Sequence, residues 1–121
     1  MKMFNKITVA FDESPESGRA LQVAVELAKS LHASLAIIIV IDEMRTRYNS
    51  LQAKARKLAE DAGLAIEAEL SNGDEVDSIL EAARHNHSDL LVIGMPKHTW
   101  ITGRTANRVA DGVPCALLGI Q

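Results

Sequence analysis

The chain has 121 residues, of which 47% are hydrophobic and 24% are charged. These proportions are typical of a globular protein, and the length suits one domain over residues 1–121 but not two. Only 3% of the residues are aromatic, so the core must be aliphatic. The net charge of −3 argues against a nucleic-acid-binding protein, because such domains usually carry a basic excess.

The cysteine content and the N-terminus bear on location. Cys115 is the single cysteine, so no internal disulfide can form, which favours a reducing compartment. Residues 1–6 have neither the apolar core nor the small-residue cleavage site of a signal peptide. The longest strongly apolar run, residues 35–41, is far shorter than a membrane span. We therefore expect a cytoplasmic protein without a membrane partner.

The first third of the chain predicts a strand, a helix and a second strand. Residues 7–11 are a short run of the kind that favours a strand. Ser14 and Pro15 favour a helix start, because serine caps well and proline fits the first turn. Residues 35–41 are apolar on both faces, which is typical of a central strand covered by helices.

The rest of the chain alternates in the same way. A helical stripe covers residues 48–62, and Gly63 is placed to end it. Residues 64–70 are apolar on one face only, which favours an edge strand. The remaining predictions are a turn at 72–74, a helix over 76–83, a strand at 90–93, a helix at 104–111 and a strand at 115–120. This alternation predicts a parallel sheet with right-handed crossovers.

Two glycines and one carboxylate suggest a nucleotide pocket. The fourth strand stops at Gly94, where the missing Cβ would let backbone approach a ligand. Gly103 precedes a short helix, whose first N–H groups can bind an anion. Asp12 follows the first strand, and its oxygens suit a ribose hydroxyl. A polar cap beside the first helix is the alternative interpretation of Asp12.

Five segments in chain order resemble the universal stress protein family. They are residues 7–14 with 17–21 and Ala28, residues 40–42, residues 73–74 with Ile79, Ala82 and Ala83, residues 88–94, and residues 108–109 with 113–118. The resemblance implies an α/β fold: a Rossmann-like, doubly wound, five-stranded parallel sheet of order 3-2-1-4-5, with helices on both faces. Ligands of such sheets bind where the strand order reverses, here between the first and fourth strands.

The resemblance also implies a site for ATP or another adenine nucleotide, although no cofactor is certain. The implied ligand-binding residues are Ala10, Phe11, Asp12, Val40, Gly94, Lys97, Gly103, Arg104 and Thr105. ATP-binding members read glycine, two residues, glycine, nine residues, glycine, then serine or threonine.

This chain departs from that pattern. Lys97 stands where the pattern has its second glycine, and Arg104 replaces the hydroxyl residue. Only eight residues separate Gly94 from Gly103, whereas the pattern has twelve between its first and third glycines. These changes argue against the usual mode of ATP binding, because a side chain at Lys97 would block close backbone approach. Lys97 and Arg104 could instead surround an anion at the helix N-terminus, where Thr105 adds a hydroxyl.

Two function hypotheses follow. We favour a non-enzyme for both, because the sequence has no motif for a nucleophile, a phosphate-binding lysine loop or a zinc protease, and a weak ATPase activity stays open as the alternative. The first is a stress-response regulatory protein that acts through an unknown protein partner, with weak or absent ATP binding. The second is a nucleotide-binding protein that uses Lys97 and Arg104. A phosphoacceptor receiver domain is set aside, because the third strand lacks a terminal aspartate and the fifth a terminal lysine.

The last strand and the histidines complete the predictions. The family resemblance implies a homodimer through residues 115–120, whose apolar edge invites pairing. His85 and His87 have no third ligand nearby, so we expect no metal site. We interpret Cys115 as a small apolar residue rather than a nucleophile.

Overall fold

The computed structural model describes residues 4–12, 14–39, 48–64, 66–70, 75–95 and 104–121. Strands and helices alternate through these ranges. In chain order they are β1 (Lys6–Phe11), α1 (Pro15–Leu31), β2 (Ser34–Ile39), α2 (Tyr48–Asp61), β3 (Ile66–Leu70), α3 (Glu75–His85), β4 (Leu90–Gly94), α4 (Arg104–Gly112) and β5 (Ala116–Ile120). The end of the predicted second strand, at 40–41, and the predicted turn at 72–74 lie outside the described residues.

The strands form one parallel sheet in the order β3-β2-β1-β4-β5. The parallel α/β sheet predicted from the alternating pattern is therefore confirmed, and the order is the one that the family resemblance implies. In the register, Ile7 of β1 lies between Leu35 of β2 and Leu90 of β4. The strands β1 and β4 are neighbours in space but not in the chain, so the strand order reverses between them.

Two apolar layers cover the sheet, one on each face. On one face, α1 and α2 pack against strand residues such as Val9, Ile37 and Val92. On the other face, α3 and α4 pack against residues such as Ile38 and Leu91. Because β1, β2 and β4 are buried on both sides, their apolar runs are continuous rather than alternating. Among the described residues, no helix combines the length and the apolar character needed to cross a membrane.

The start of α1 follows the sequence prediction. Ser14 is the N-cap, and its side-chain oxygen accepts a hydrogen bond from the Ser17 N–H at 3.2 Å. Pro15 occupies the first helical position, where a missing N–H costs nothing. The predicted cap and the predicted first residue are both confirmed.

Three helices end through a residue in the left-handed region. These residues are His32 (φ 53°) after α1, Gly63 (φ 77°) after α2 and His87 (φ 52°) after α3. In each case the next N–H reaches back five residues to a helix carbonyl, as Ser88 does to Ala83 at 2.9 Å. Gly63 ends α2 as predicted. The two histidines take a position that glycine occupies more readily.

The amino edge of the sheet is held by Asp89, directly before β4. One carboxylate oxygen of Asp89 accepts hydrogen bonds from the backbone N–H of Asn5 at 2.7 Å and of Lys6 at 3.0 Å. Behind it, the buried hydroxyls of Thr8 and Ser88 are hydrogen-bonded to each other. These contacts fix β1 beside β4 at the end opposite the predicted ligand site.

Candidate functional site

The carboxyl ends of β1 and β4 lie side by side where the strand order reverses, which is the usual ligand position in open α/β sheets. The structure brings Asp12 and Gly94 together at this edge, with Ala10 and Phe11 in the last positions of β1. Three predicted site residues, Val40, Lys97 and Gly103, lie outside the described residues.

Asp12 is exposed and begins a local turn. Its Oδ1 accepts a hydrogen bond from the Ser14 N–H at 2.9 Å. Its own N–H donates to Ser17 Oγ at 3.2 Å. Within the described part of the chain, Oδ2 of Asp12 accepts no hydrogen bond. The carboxylate therefore makes a polar contact beside the start of α1, which is the alternative interpretation of Asp12 from the sequence.

Ser17 completes this turn, and sequence analysis did not single it out for that role. Its side chain is buried, with 5% exposure, and its Oγ donates to the Ser14 carbonyl at 3.1 Å. The Gly18 N–H donates to the same carbonyl at 2.9 Å. The spacing Ser14-x-x-Ser17 is the sequence signal that could have suggested it. The N–H groups of Ser17 and Gly18 therefore have partners within the turn.

Gly94 is packed against the backbone of α1. A Cβ at this position would lie 2.6 Å from the carbonyl carbon of Glu16 and 2.6 Å from the nitrogen of Ser17. No side chain fits there unless α1 moves away from β4. The sequence analysis attributed this glycine to close approach of a ligand. The structure provides a packing reason that is sufficient by itself.

Ala10 and Phe11 contribute their side chains to the core. They are 8% and 6% exposed, and consecutive strand residues face opposite sides of the sheet. Ala10 packs in the layer of α3 and α4, whereas Phe11 packs in the layer of α1 and α2. A ligand at this strand end would therefore meet their backbone rather than their side chains.

The helix α4 begins at Arg104, so Arg104 and Thr105 belong to its first turn. The unpaired N–H groups of a first turn and the helix dipole favour a bound anion. The start of α4 is therefore a candidate position for a phosphate group.

Cys115 directly precedes β5, at the amino edge of the sheet and opposite this site, and it is half-buried. Burial raises the pKa of its thiol, the nearby negative charge of Asp89 raises it further, and a hydrogen bond with the backbone of Leu91 opposes both. A thiol with a raised pKa is protonated at neutral pH and is a poor nucleophile. This environment supports its interpretation as a small apolar residue.

The two histidines near the end of α3 are exposed. In the part of the chain that the structure describes, no three His, Cys, Asp or Glu residues are grouped so as to hold a metal ion. His87 is the residue in the left-handed region at the end of α3.

Comparison with known proteins places the chain in a family. The sequence pattern of the universal stress protein family matches residues 3–120. The chain belongs to the universal stress protein family. It is 32% identical to universal stress protein YxiE of Bacillus subtilis over 117 residues, covering 76% of this chain and 79% of that protein. The family resemblance found in the sequence is thereby confirmed.

Solved universal stress proteins share the fold. One, crystallised in complex with cAMP, matches with a TM-score of 0.83 and 25% identity, over 98% of this chain and 97% of that chain. Another, from Archaeoglobus fulgidus in complex with dAMP, matches with a TM-score of 0.79 and 19% identity over 100% of both chains. The second likeness supports the fold alone.

Proposed function

We propose that this universal stress protein is a non-catalytic stress-response regulatory protein that acts through contacts with an unknown protein partner, with weak or absent ATP binding. One observation carries the proposal: the first turn of α1 uses its polar groups internally, and Gly94 packs against it. Ser14 and Ser17 hydrogen-bond to each other, and Asp12 caps the same turn. The positions of Asp12 and Gly94 are thus explained by local hydrogen bonds and by packing against α1, without a ligand.

The loop sequence supports weak nucleotide binding. Lys97 stands where ATP-binding members have a glycine, and eight residues separate Gly94 from Gly103. Glycine is used in such loops because a side chain keeps backbone away from phosphate. The loss of that glycine therefore removes backbone contacts on which triphosphate binding depends.

A non-enzymatic function agrees with the groups at the site. The candidate acid or base is Asp12, whose carboxylate accepts the Ser14 N–H, and the hydroxyl in contact with Asp12 is that of Ser17, which accepts the Asp12 N–H. Ser14 caps α1, and no histidine that could act as its base is hydrogen-bonded to it among the described residues. We also propose a cytoplasmic location, which the single cysteine favours.

A nucleotide-binding function is the second candidate. It is favoured by the likeness to a universal stress protein solved in complex with cAMP. Asp12 keeps an oxygen for a ribose hydroxyl, and α4 begins at Arg104 with Thr105 beside it. In this alternative, Lys97 and Arg104 neutralise the phosphate charge that backbone amides hold in other members.

Isothermal titration calorimetry with ATP and Mg²⁺, and separately with AMP, distinguishes the two candidates. We expect dissociation constants in the millimolar range, about −4 kcal/mol of binding free energy. A micromolar constant that weakens at least tenfold in Lys97→Ala and in Arg104→Ala would establish the alternative. Arg56→Ala is the matched control, because it removes an equal charge from the exposed face of α2.

We further propose a homodimer through β5. This strand is an edge of the sheet, and Leu117, Leu118 and Ile120 on it are only half-buried. An edge strand with apolar side chains and unpaired backbone groups is a template for pairing with a second copy. Sedimentation velocity over a hundredfold concentration range tests this, and a monomer throughout would refute it.

A further inference from the structure

Met95 joins the end of β4 to the edge strand β5. Its backbone N–H donates a hydrogen bond to the Ile120 carbonyl at 2.6 Å. Its side chain lies over Gly119, so closely that a Cβ on Gly119 would be 2.9 Å from Met95 Cγ and would overlap the sulfur. A side chain on Gly119 would therefore have to displace the Met95 side chain, whereas the Met95 backbone is held to β5 by the hydrogen bond.

Gly94, the preceding residue, has an equally tight contact on the other side of the sheet. Its Cα lies against the backbone of Glu16 and Ser17, which leaves no room for a Cβ. Successive residues of a strand face opposite sides, so Gly94 faces α1, whereas the Met95 side chain lies on the other face of the sheet, over Gly119 of β5. A displacement of β4 at this point must move one of the two.

The first turn of α1 is connected in turn to Asp12. The Ser17 hydroxyl accepts the Asp12 N–H at 3.2 Å, and the Asp12 carboxylate accepts the Ser14 N–H at 2.9 Å. A continuous line of close contacts thus runs from Gly119 through Met95 and Gly94 to Asp12. Chains of tightly packed groups of this kind can carry coupling between sites.

We propose that Met95 is a positioning residue that couples the packing of the edge strand β5 to the Asp12 turn. The functional meaning of this coupling rests on the proposed function, in which a second copy pairs with β5 and a ligand meets Asp12. By linkage, pairing at β5 and binding at Asp12 then alter each other by the same factor.

The test uses amide NMR spectra of the full chain without ligand, so that it does not depend on nucleotide binding. In Gly119→Ala, the added methyl group displaces Met95, and we expect the amide signals of Asp12, Glu16 and Ser17 to shift. In the double variant Gly119→Ala/Met95→Ala, the methyl group has room, and these signals should return toward their positions in Met95→Ala alone. Ala116→Ser, on the same exposed edge, is the control and should leave them in place.

Two results would overturn the proposal. One is a set of shifts in Gly119→Ala confined to β5 and residue 95. The other is a shift at Asp12 and Ser17 that the double variant retains in full. If Gly119→Ala does not fold, Met95→Leu provides the same comparison, because a branched side chain cannot follow the same path over Gly119. A failure here leaves the calorimetric test of nucleotide binding unaffected, and a failure of that test leaves this one interpretable.

Discussion

Asp89 and Lys6 are joined by two hydrogen bonds at the amino edge of the sheet. The Lys6 N–H donates to the Asp89 carboxylate at 3.0 Å, and the Asp89 N–H donates to the Lys6 carbonyl at 2.9 Å. The same carboxylate also accepts the Asn5 N–H at 2.7 Å. A single side chain thus fixes the start of β1 beside the start of β4.

Replacing Asp89 with alanine should therefore destabilise the protein. Two exposed backbone N–H groups lose their acceptor to water, and we expect a loss of about 1–1.5 kcal/mol in the free energy of unfolding, the upper part of the range for a typical hydrogen bond. Urea denaturation followed by circular dichroism measures it. Asp111→Ala, an exposed carboxylate on α4, is the control and should change stability by less than about 0.5 kcal/mol. Equal effects of the two substitutions would contradict the assigned role of Asp89.

The thiol of Cys115 should react slowly at neutral pH and gain reactivity only in alkaline solution. Burial and the charge of Asp89 both raise its pKa, so the thiolate is scarce below the usual thiol pKa. In Asp89→Asn the charge is removed, and the pKa should fall while the burial remains. The rate of alkylation by iodoacetamide as a function of pH reports both values. An unchanged profile in Asp89→Asn would show that the charge has no influence.

The same pKa shift has a consequence for stability. A group whose pKa is higher in the folded state contributes stability that is complete below its unfolded pKa, about 8.5 for a thiol, and is lost as the pH rises through the folded value. The free energy of unfolding should therefore decline above this pH. Cys115→Ala should lack that part of the alkaline decline. The comparison requires urea denaturation of both proteins between neutral and alkaline pH.

His87→Gly should stabilise the protein, although it removes a side chain. His87 has φ 52°, a left-handed conformation that costs free energy for any residue with a Cβ and little for glycine. We expect a gain of about 0.5–1 kcal/mol in the free energy of unfolding. His85→Gly is the matched control, since His85 is helical, and it should lower stability. A loss of stability in His87→Gly would mean that its side chain contributes more than the backbone strain costs.

Two glycines near the site should respond in opposite ways to alanine. Gly94→Ala places a methyl group 2.6 Å from the α1 backbone, and overpacking of this kind costs about 1–3 kcal/mol. Gly18 lies within α1 and a Cβ there meets nothing within 4 Å, so Gly18→Ala should stabilise by about 0.5–1 kcal/mol. Thermal unfolding of the two variants provides the measurement. A neutral Gly94→Ala would show that α1 can move away from β4 at little cost.

Much of the fold follows from local sequence patterns. Ser14 with Pro15 predicts the start of α1, Gly63 predicts the end of α2, and the apolar run from residue 35 predicts a buried central strand. These signals are readable because the cause and its effect lie within one turn or one strand. The order of the strands is different, because no local pattern states which strands pair, and it came from the family resemblance.

The candidate site, and the contacts between distant parts of the chain at the opposite edge of the sheet, were predicted less completely, for the same reason. Asp89 binds the N–H of Asn5, which lies 84 positions earlier in the chain, so no sequence window contains both. The glycine at 94 was noticed, but its tightest neighbours, Glu16 and Ser17, belong to a helix that only the folded chain brings close. The sequence shows a glycine in both cases, whether the missing Cβ makes room for a ligand or for a helix.

The strand β1 is anchored at both ends, by Asp89 at its start and by the Ser17 hydroxyl where the chain leaves it. A ligand that bound beside β1 would therefore contact a strand that is held by hydrogen bonds at both ends. Any structural adjustment to the size of the ligand would have to occur on the other side, where α4 packs against α3. In the proposed nucleotide-binding alternative, ligand selectivity should accordingly be changed most readily by substitutions between α3 and α4, and least by substitutions behind β1.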